Sequence, residues 1–525
     1  MKFFRFFRIV PAIVFALLAV PALASAATGF EISGWVPYWN AASSTSDAIA
    51  HMNELTEVEP FVYSIQNDGT IKDLGPMNQA PWTTLVQTAR ADKVRVVPTV
   101  MWSNASAEES ILKNTKSRVA LEVAIANLAK QNGFDGIDVD FENKPADLRN
   151  YFSLFLQGLY QRMGQRLVTC DVEARTPLGD LYPDGNVPAG AGTYANDYVA
   201  INKYCDRVHI MTYDQQTVDQ ALANAAASSS QLYAPVADPQ WVSDVVNLTE
   251  KSIKPSKITI GVPTYGYEYD VTAYANNDYN YDIMWTFDPG YATQIEQQYN
   301  VQAIRNAADE LELTYTPNIA TSSMPISSNI NNALIAAAAA SQYATQLNSH
   351  MDFRLLDWPD ATSVADKADL AKGLGTRGIA IFKIDGGEDP NMWNAIQGLA
   401  VKAPLSPNLA IGTGVPSTPN TGTTATGTGT ISTGPSNALT RDLALGSGGV
   451  DVKTLQQILN NDSQTRVAAS GPGSPGQETQ VYGLATKAAV QKFQLEYNIA
   501  GPGNPAFGDV GPVTRAKLNQ ILAAM

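Results

Sequence analysis

The chain has 525 residues, of which 45% are hydrophobic, a composition typical of globular proteins. This length exceeds one ordinary core, so we expect two or three domains. The formal net charge of −15 excludes electrostatic binding to nucleic acid or to an anionic membrane as the main function. We expect a neutral ligand held by hydrogen bonds and stacking.

Residues 1–26 have the pattern of a secretory signal peptide. Three basic residues lie within the first eight positions, an apolar run follows from residue 9 to residue 20, and Ala24-Ser25-Ala26 forms a small-residue cleavage site. The apolar run is shorter than the ~20 residues that span a bilayer. We therefore expect export and no membrane contact after cleavage; an uncleaved, membrane-tethered form is the alternative.

Eight apolar runs then follow, and most are separated by segments with helical periodicity, such as 117–131 and 145–163. Each run has the length and β-branched content of a buried parallel strand. The predicted strands are 31–35, 58–65, 94–101, 134–141, 167–172, 208–213, 258–265 and 378–384. Eight strands alternating with helices predict an α/β fold, a (β/α)8 TIM barrel, over residues 27–402. Residues from about 267 to 376 are too many for a loop and predict a small insertion between strands 7 and 8.

The fourth predicted strand carries a row of acids in the sequence Asp138-Val139-Asp140-Phe141-Glu142. Because side chains alternate along a strand, the three acids share one face and the apolar residues share the other. Asp138 and Asp140 should therefore point into the barrel, and Glu142 should emerge at its carboxyl rim, where barrel enzymes keep their active sites. Buried carboxyls need hydrogen bonds or shared protons, so this row predicts proton chemistry.

Two structural readings of the acidic row are weaker alternatives. One is a solvated acidic edge, and the other is a calcium loop of the EF-hand type. Strand-forming residues separate the acids, and no bidentate acid follows at EF-hand spacing.

Cysteine and histidine are scarce in this chain. Cys170 and Cys205 could form one disulfide in an exported protein, but they are too few to carry the fold. With only three histidines we expect no metal site, and we expect no cofactor. A serine hydrolase and a metal-dependent amidase are excluded by the absence of G-x-S-x-G and H-E-x-x-H motifs.

A change in composition divides the chain near its end. Residues 403–438 are rich in Pro, Thr, Gly and Ser, which predicts a flexible linker. Residues 439–525 contain three groups of apolar residues at helical spacing, so we expect a module of three short helices. These groups are Val452, Leu455 and Leu459; Ala489, Val490 and Phe493; and Leu518, Ile521 and Leu522.

The sequence D-G-I-D-V-D-F-E at 135–142 resembles the D-x-x-D-x-D-x-E signature of glycoside hydrolase family 18, the chitinases and related N-acetylglucosaminidases. H-I-M-T-Y-D at 209–214 is similar to the sixth-strand motif of that family, and G-V-P-T-Y-G at 261–266 is similar to its seventh-strand motif. The resemblance covers residues from about 34 to 399 and is nearest to the wall-lytic, spore-cortex branch.

The resemblance implies a role for each motif residue. Glu142 would be the general acid, and the acetamido group of the substrate would attack the anomeric carbon, so that hydrolysis proceeds with retention. Asp140 would orient the acetamido group, Asp138 would hold Asp140, and Tyr213 would donate a hydrogen bond to the acetamido oxygen. Met211 and Asp214 would line the same sugar subsite, although Met211 could equally be core packing.

Aromatic residues complete the expected subsite. The family usually has a tryptophan at the end of the eighth strand, and Phe382 takes its place here. A phenyl ring covers less sugar surface than an indole. Tyr38 and Trp39, after the first strand, are further candidates for stacking on sugar, with packing at the rim as the alternative.

The C-terminal module resembles the peptidoglycan-binding-like domain of bacterial wall enzymes. Its phrases Leu455-Gln456 and Phe493-Gln494, and its helix starts G-L-A-T-K-A and G-P-V-T-R-A, carry this resemblance. Small three-helix units are also used only as anchors or spacers. We therefore expect a secreted, monomeric glycosidase of the cell wall acting on β-1,4 bonds of peptidoglycan, with a chitinase and a non-catalytic carbohydrate-binding protein as alternatives.

Overall fold

The computed structural model describes residues 29–402, apart from 183, 219–231, 276–277 and 317–332, and most of residues 439–523, apart from 440, 442, 444–446, 448, 470–472, 481, 498 and 501–507. The expected signal peptide and linker lie outside the described residues. Within these described ranges, no helix combines the length and apolar character needed to cross a membrane.

Eight parallel strands close into a barrel, which confirms the predicted fold class. The barrel strands are β1 (Glu31–Pro37), β2 (Glu57–Ile65), β5 (Thr99–Trp102), β6 (Gly136–Phe141), β7 (Leu167–Glu173), β8 (Arg207–Met211), β9 (Ile258–Pro263) and β15 (Gly378–Phe382). β1 pairs with β2 on one side and with β15 on the other, so the described sheet closes on itself.

Two short strands extend this sheet along β2. They are β3 (Ile71–Asp73), which is antiparallel to β2, and β4 (Arg95–Val96), which is parallel to it. The third predicted strand is thus split into β4 and β5. Pro98 lies at the break, because proline has no N–H group to donate to a ladder.

Helices surround the barrel and also occur in the insertion and the C-terminal module. They are α1 (Ala41–Ala50), α2 (Trp82–Ala91), α3 (Ala105–Lys113), α4 (Thr115–Asn132), α5 (Arg149–Met163), α6 (Leu178–Leu181), α7 (Tyr198–Tyr204), α8 (Gln215–Val218), α9 (Pro239–Thr249), α10 (Pro289–Tyr299), α11 (Ala333–Leu347), α12 (Ala361–Gly373), α13 (Met392–Ala395), α14 (Val450–Asn460), α15 (Leu484–Glu496) and α16 (Pro512–Leu522). Single 3-10 turns cover Tyr38–Asn40, Met52–Glu54, Ala146–Leu148 and Pro255–Lys257.

The apolar face of β6 is buried against the outer helices. Ile137, Val139 and Phe141 belong to the main core of the barrel. Phe141 stacks on Phe155 of α5, with ring centroids 5.1 Å apart. Because side chains alternate along a strand and these three point outward, the acids of β6 point toward the barrel interior, as predicted.

A five-stranded antiparallel sheet is inserted between β9 and β15. Its strands are β10 (Gly266–Tyr274), β11 (Asp278–Phe287), β12 (Ile304–Arg305), β13 (Leu311–Tyr315) and β14 (Met351–Trp358), and their order is β11-β10-β14-β13-β12. The following helix, α12, packs against β9 and β15 and so belongs to the helical layer of the barrel.

The C-terminal module contains the three predicted helices α14, α15 and α16, with α14 in contact with both others. Its buried core includes seven of the nine apolar residues singled out in the sequence, namely Val452, Leu455, Leu459, Ala489, Val490, Phe493 and Leu518, and Ile521 packs at its edge. Leu522 also lies at this edge. The helical periodicity therefore identified the core of the module.

Cys170 and Cys205 form a disulfide. Cys170 lies in β7 and Cys205 follows α7, so the bond joins a barrel strand to the helix that precedes the next strand. Both residues are buried.

Candidate active site

A cavity of about 280 Å3 lies at the carboxyl ends of the barrel strands. Its lining residues belong to β1, β2, β6, β7, β8 and β15 or to the segments that follow β6, β7 and β8. They are Trp35, Phe61, Asp140, Glu142, Asp171, Glu173, Ala174, Met211, Tyr213, Asp214 and Phe382. Several of them, including Glu142 and Phe382, are only half-buried, so solvent and ligands can reach the cavity.

The three acids of the β6 row occupy increasing heights in the barrel. Asp138 is fully buried, Asp140 is buried at the cavity floor, and Glu142 follows the end of the strand at the rim. Asp138 Oδ2 accepts hydrogen bonds from Trp35 Nε1 at 3.0 Å and from Thr99 Oγ1 at 2.8 Å. The structure thus brings together the acids that the alternation placed on one face.

The electrostatic surroundings favour a protonated acid at the rim. Burial is the main cause that raises the pKa of Glu142 above its ordinary value, and the nearby Glu173 carboxylate is the second. Burial and the neighbouring Glu142 raise the pKa of Asp140 much further. The side chains of Asp140 and Glu142 are hydrogen-bonded to each other. Such a pair keeps a proton to higher pH than isolated carboxyls do, which is what a general acid requires.

Asp214 is held in place by two tyrosines from the start of the insertion. Tyr267 donates its hydroxyl hydrogen to Asp214 Oδ1 at 2.6 Å, and Tyr265 donates to the same oxygen. Burial raises the pKa of Asp214, although these two hydroxyl donors oppose the increase. Asp214 also has a positive φ of 59°, a backbone conformation that aspartate adopts more readily than most residues.

Aromatic rings form one wall of the cavity. Phe382, at the end of β15, stacks on Tyr213, with centroids 5.5 Å apart and planes inclined by 17°. Trp35 meets Phe382 edge-on at 5.6 Å. Tyr213, Met211 and Phe382, which were selected from the sequence, therefore share this cavity with Trp35.

Tyr38 and Trp39 lie outside the residues that line the cavity. Both are in the 3-10 turn that follows β1. Trp39 is 43% exposed and contacts the ring of Phe61, a lining residue, at 5.8 Å. The structure thus places Trp39 one ring away from the cavity, on its outer side.

Sequence reasoning missed a second acidic row, on β7. Asp171 and Glu173 line the cavity beside the β6 row, because β7 pairs with β6 in parallel. Asn196 donates a hydrogen bond to Glu173, and Lys144 Nζ lies 3.7 Å from Glu173 Oε1. Asp171 and Glu173 are two residues apart, so a strand places both side chains on one face, and this spacing could have identified them. The fifth strand was predicted to end at residue 172, which left Glu173 outside it.

A buried histidine beside Asp138 and Asp171 completes the polar interior of the barrel. His209 Nε2 lies 2.6 Å from Glu59 Oε1, and its Nδ1 contacts the hydroxyl of Thr259. Burial would lower the pKa of His209, but the Glu59 carboxylate raises it to about 9. Oxygens of Asp138 and Asp171 lie within 4.8 Å of a His209 nitrogen, a grouping that could also hold a metal ion.

A larger groove of about 910 Å3 lies on the outside of the barrel, between β3 and α4. Its lining includes Asp68, Asp73 and Lys116, together with a row of small and amide side chains on α4. The acids whose pKa values are raised by burial and by their mutual proximity lie in the smaller cavity instead. Perturbed, converging acids in a cleft are the better indicator of an active site.

Comparison with known proteins assigns the chain to a family. The model of glycosyl hydrolases family 18 matches residues 34–387. The chain belongs to this family. The match runs from β1 to just beyond β15 and contains every residue that lines the acidic cavity of this family 18 protein.

Individual relatives of this family 18 chain are distant. YvbX, an uncharacterised glycosylase of Bacillus subtilis (strain 168), is 26% identical over 161 residues, which are 31% of this chain and 42% of that protein. YdhD of the same strain, described as a sporulation-specific glycosylase, is 26% identical over 218 residues, which are 41% of this chain and 46% of that protein. The matches therefore span less than half the length of these curated relatives.

Solved structures share the fold. The spore cortex-lytic enzyme SleL of Bacillus megaterium QM B1551 superimposes with a TM-score of 0.52 and 21% identity, covering 72% of this chain and 76% of that chain. At this level of identity the likeness concerns the fold alone.

Proposed function

We propose that this family 18 protein is a retaining glycosidase that hydrolyses β-1,4 bonds after N-acetylglucosamine in a wall polymer. The observation that carries the proposal is the pair of Asp140 and Glu142, hydrogen-bonded at the floor and rim of an open cavity. Burial and like charge raise the pKa of both carboxyls, so that the pair retains a proton for the leaving group.

In the proposed reaction, the proton of Glu142 passes to the glycosidic oxygen as the bond to the anomeric carbon breaks. The acetamido oxygen of the same sugar attacks that carbon from the opposite face and forms a cyclic oxazolinium ion. Glu142, now a carboxylate, removes a proton from water, and the water opens the ring with net retention. Asp140 orients the acetamido N–H, and Tyr213 donates its hydroxyl hydrogen to the acetamido oxygen.

The sugar in this subsite would rest on Phe382, whose ring lines the cavity. Met211 and Asp214 line the same cavity. Asp138 supports Asp140 from below. Trp39 lies on the outer side of Phe61, where an extended polymer leaving the cavity would pass.

Peptidoglycan is the proposed polymer. The C-terminal module supports it through its resemblance to peptidoglycan-binding-like domains, and a tether to the polymer would raise the local concentration of the barrel. The description of YdhD as a sporulation-specific glycosylase agrees with a bacterial wall substrate. Chitin remains the second candidate, because its β-1,4-linked N-acetylglucosamine would meet the same acids.

We propose that the protein acts outside the cytoplasm, as a monomer. The signal-peptide pattern at residues 1–26 supports export. The Cys170–Cys205 disulfide supports an oxidising compartment, because such bonds are rare in the cytosol.

The decisive experiment compares wild type with Glu142→Gln on purified peptidoglycan and on chitin oligomers. We expect wild type to release reducing ends whose fragments carry N-acetylglucosamine at the new end, and we expect Glu142→Gln to release almost none. Glu250→Gln, an exposed acid after α9, is the matched control and should behave as wild type. If wild type and Glu142→Gln release equally small amounts of reducing ends from both polymers, the result would support a non-catalytic carbohydrate-binding protein instead.

A second experiment tests the polymer. Removal of residues 403–525 should weaken sedimentation with insoluble peptidoglycan and leave turnover of soluble oligomers unchanged. If the shortened protein sediments as well as the full chain does, the module is a spacer.

A further inference from the structure

Asp171 lies beside the β6 row, at the junction between that row and the polar interior of the barrel. β6 and β7 pair with Asp138 opposite Thr169, so Asp171 stands one step closer to the rim than Asp138 does. Its side chain is only 4% exposed and lines the cavity. It also forms a side-chain hydrogen bond with Asp138. Asp171 is thus in direct contact with a residue of the family signature.

The hydrogen bond between these two carboxyls requires a proton. Asp138 Oδ2 accepts from Trp35 and Thr99. Asp138 Oδ1 and Asp171 Oδ1 are buried, and no N–H or O–H donor among the described residues reaches either oxygen. Two ionised carboxylates in contact would repel each other and leave buried acceptors without donors. The pair therefore holds one proton and carries one negative charge.

The surrounding charges indicate which acid holds the proton. Asp171 faces Asp138 and Asp140 from β6, Glu59 from β2, His209 from β8, and Tyr213 beyond β8. Burial, followed by Asp138 and Asp140, raises the pKa of Asp171 well above its ordinary value. For Asp138, burial also raises the pKa, but His209 and the Trp35 and Thr99 donors oppose the increase. The proton therefore belongs to Asp171, which donates it to the Asp138 carboxylate.

Metal binding fits this cluster less well than proton sharing does. Both ring nitrogens of His209 are already engaged, one by Glu59 and the other by Thr259. A metal ion would have to break one of these two contacts to use the imidazole as a ligand.

We propose that Asp171 is a positioning residue of the active site, whose carboxylic proton fixes Asp138 while Asp140 is hydrogen-bonded to Glu142. The inference rests on the proposed function. With Asp138 held from the side by Asp171, Asp140 is free to turn between Glu142 and the acetamido group of the sugar. Asp171 makes no contact with the reacting atoms in this scheme; it acts through Asp138.

The test uses the full chain with Asp171→Ala, Asp171→Asn and the control Thr169→Val. Thr169 is buried on the same strand, and its hydroxyl has no hydrogen-bond partner among the described residues, so Thr169→Val should keep wild-type turnover. Asp171→Ala removes the donor to Asp138, and we expect kcat to fall roughly 10- to 100-fold with little change in KM. Asp171→Asn keeps an N–H donor in the same place and should restore most of kcat.

The pH profile provides a readout that a merely structural role would not change. The acid of Asp171 can lose its proton as the pH rises, whereas an amide cannot. The turnover of Asp171→Asn relative to wild type should therefore increase on the alkaline side. The inference is overturned if Asp171→Asn is as impaired as Asp171→Ala at every pH, or if Asp171→Ala behaves like Thr169→Val.

A measurement without substrate separates this inference from the proposed function. The infrared difference spectrum between wild type and Asp171→Asn should contain the carbonyl band of a protonated carboxylic acid. If wild type hydrolyses neither polymer but shows this band, the proposed function fails and the shared proton stands. If wild type hydrolyses its polymer and the infrared difference spectrum contains only carboxylate bands, the inference about Asp171 fails and the proposed function stands.

Discussion

Phe382 and Tyr213 stack on each other at the cavity wall, although 169 positions separate them in the chain, with ring planes inclined by only 17°. The contact joins the last barrel strand to the segment after β8. Phe382 therefore has two roles in the proposed site: its ring offers a surface to the sugar, and it fixes the ring that carries the Tyr213 hydroxyl.

Phe382→Leu should lower kcat/KM on soluble oligomers roughly three- to tenfold, because aromatic stacking contributes about 0.5–1.5 kcal/mol beyond burial. Steady-state kinetics on chitin oligomers would measure this. Phe30→Leu is the control: it makes the same change just before β1, at the amino end of the barrel, and should leave kcat/KM unchanged. Equal rates for Phe382→Leu and wild type would contradict the assignment of Phe382 to the sugar subsite.

The alkaline limb of the pH–rate profile should report the proton of Glu142. Because the pKa of Glu142 is raised, activity should persist above the ordinary glutamic acid range and fall as the pH rises through that pKa. Glu173→Gln removes the neighbouring like charge, so the alkaline limb should move to lower pH. Glu109→Gln, at an exposed site on α3, should leave the limb in place. A shift to higher pH in Glu173→Gln would contradict the proposed coupling.

Glu31 should stabilise the barrel at its amino end in a pH-dependent way. It accepts from Arg207 Nε at 2.7 Å and from Arg377 Nε at 2.6 Å, and Arg95 Nη2 lies 3.0 Å away. Burial would raise the pKa of Glu31, but these three cations together lower it to about 2. The stabilisation is therefore present above the unfolded-state pKa and is lost as the pH falls toward 2.

Glu31→Gln should accordingly lower the free energy of unfolding by about 3 kcal/mol at neutral pH, because Arg207 and Arg377 lose this carboxylate partner and Arg95 keeps only Glu57. Denaturant titrations of both proteins between pH 7 and pH 3 would show the difference narrowing with acid. Turnover of the folded variant should match wild type, since Glu31 lies at the end of the barrel opposite the cavity. A difference that is independent of pH would contradict this account.

The Cys170–Cys205 disulfide should stabilise the barrel without taking part in the chemistry. It closes a loop with a sequence separation of 35 residues. Loop-closure entropy for that length corresponds to about 3–4 kcal/mol of stabilisation. We expect the double variant Cys170→Ala and Cys205→Ala to lose stability of this order in denaturant titrations and to keep its kcat at low temperature. Unchanged stability would mean that the bond does not form in solution.

The prediction of the fold succeeded where the signal was local. Eight apolar runs of strand length, separated by helical periodicity, were sufficient to predict the barrel, because burial on both faces gives each parallel strand its own recognisable composition. The third strand was predicted as one unbroken run over 94–101, and its split at Pro98 was missed, although proline cannot donate to a ladder.

The candidate site was predictable only in part. The alternation along β6 placed Asp138, Asp140 and Glu142 on one face, and the structure has Asp140 and Glu142 lining the cavity with Asp138 buried beside them. Their catalytic roles remain predictions. Asp171 and Glu173 were missed although their spacing is the same, because the fifth strand was predicted to end at residue 172, which left Glu173 outside it. Tyr38 and Trp39 follow the correct strand, yet the turn after β1 directs them outside the cavity lining.

The amino-acid sequence by itself determined the strands, their inward and outward faces, and the acidic row, since each depends on residues that are close along the chain. The tertiary structure alone decided which residues from other strands meet that row: Trp35 and Asp171 against Asp138, Glu173 near Glu142, and Phe382 against Tyr213. The physical reason is that barrel closure sets the stagger between neighbouring strands, and this stagger decides which inward-facing side chains lie at the same height.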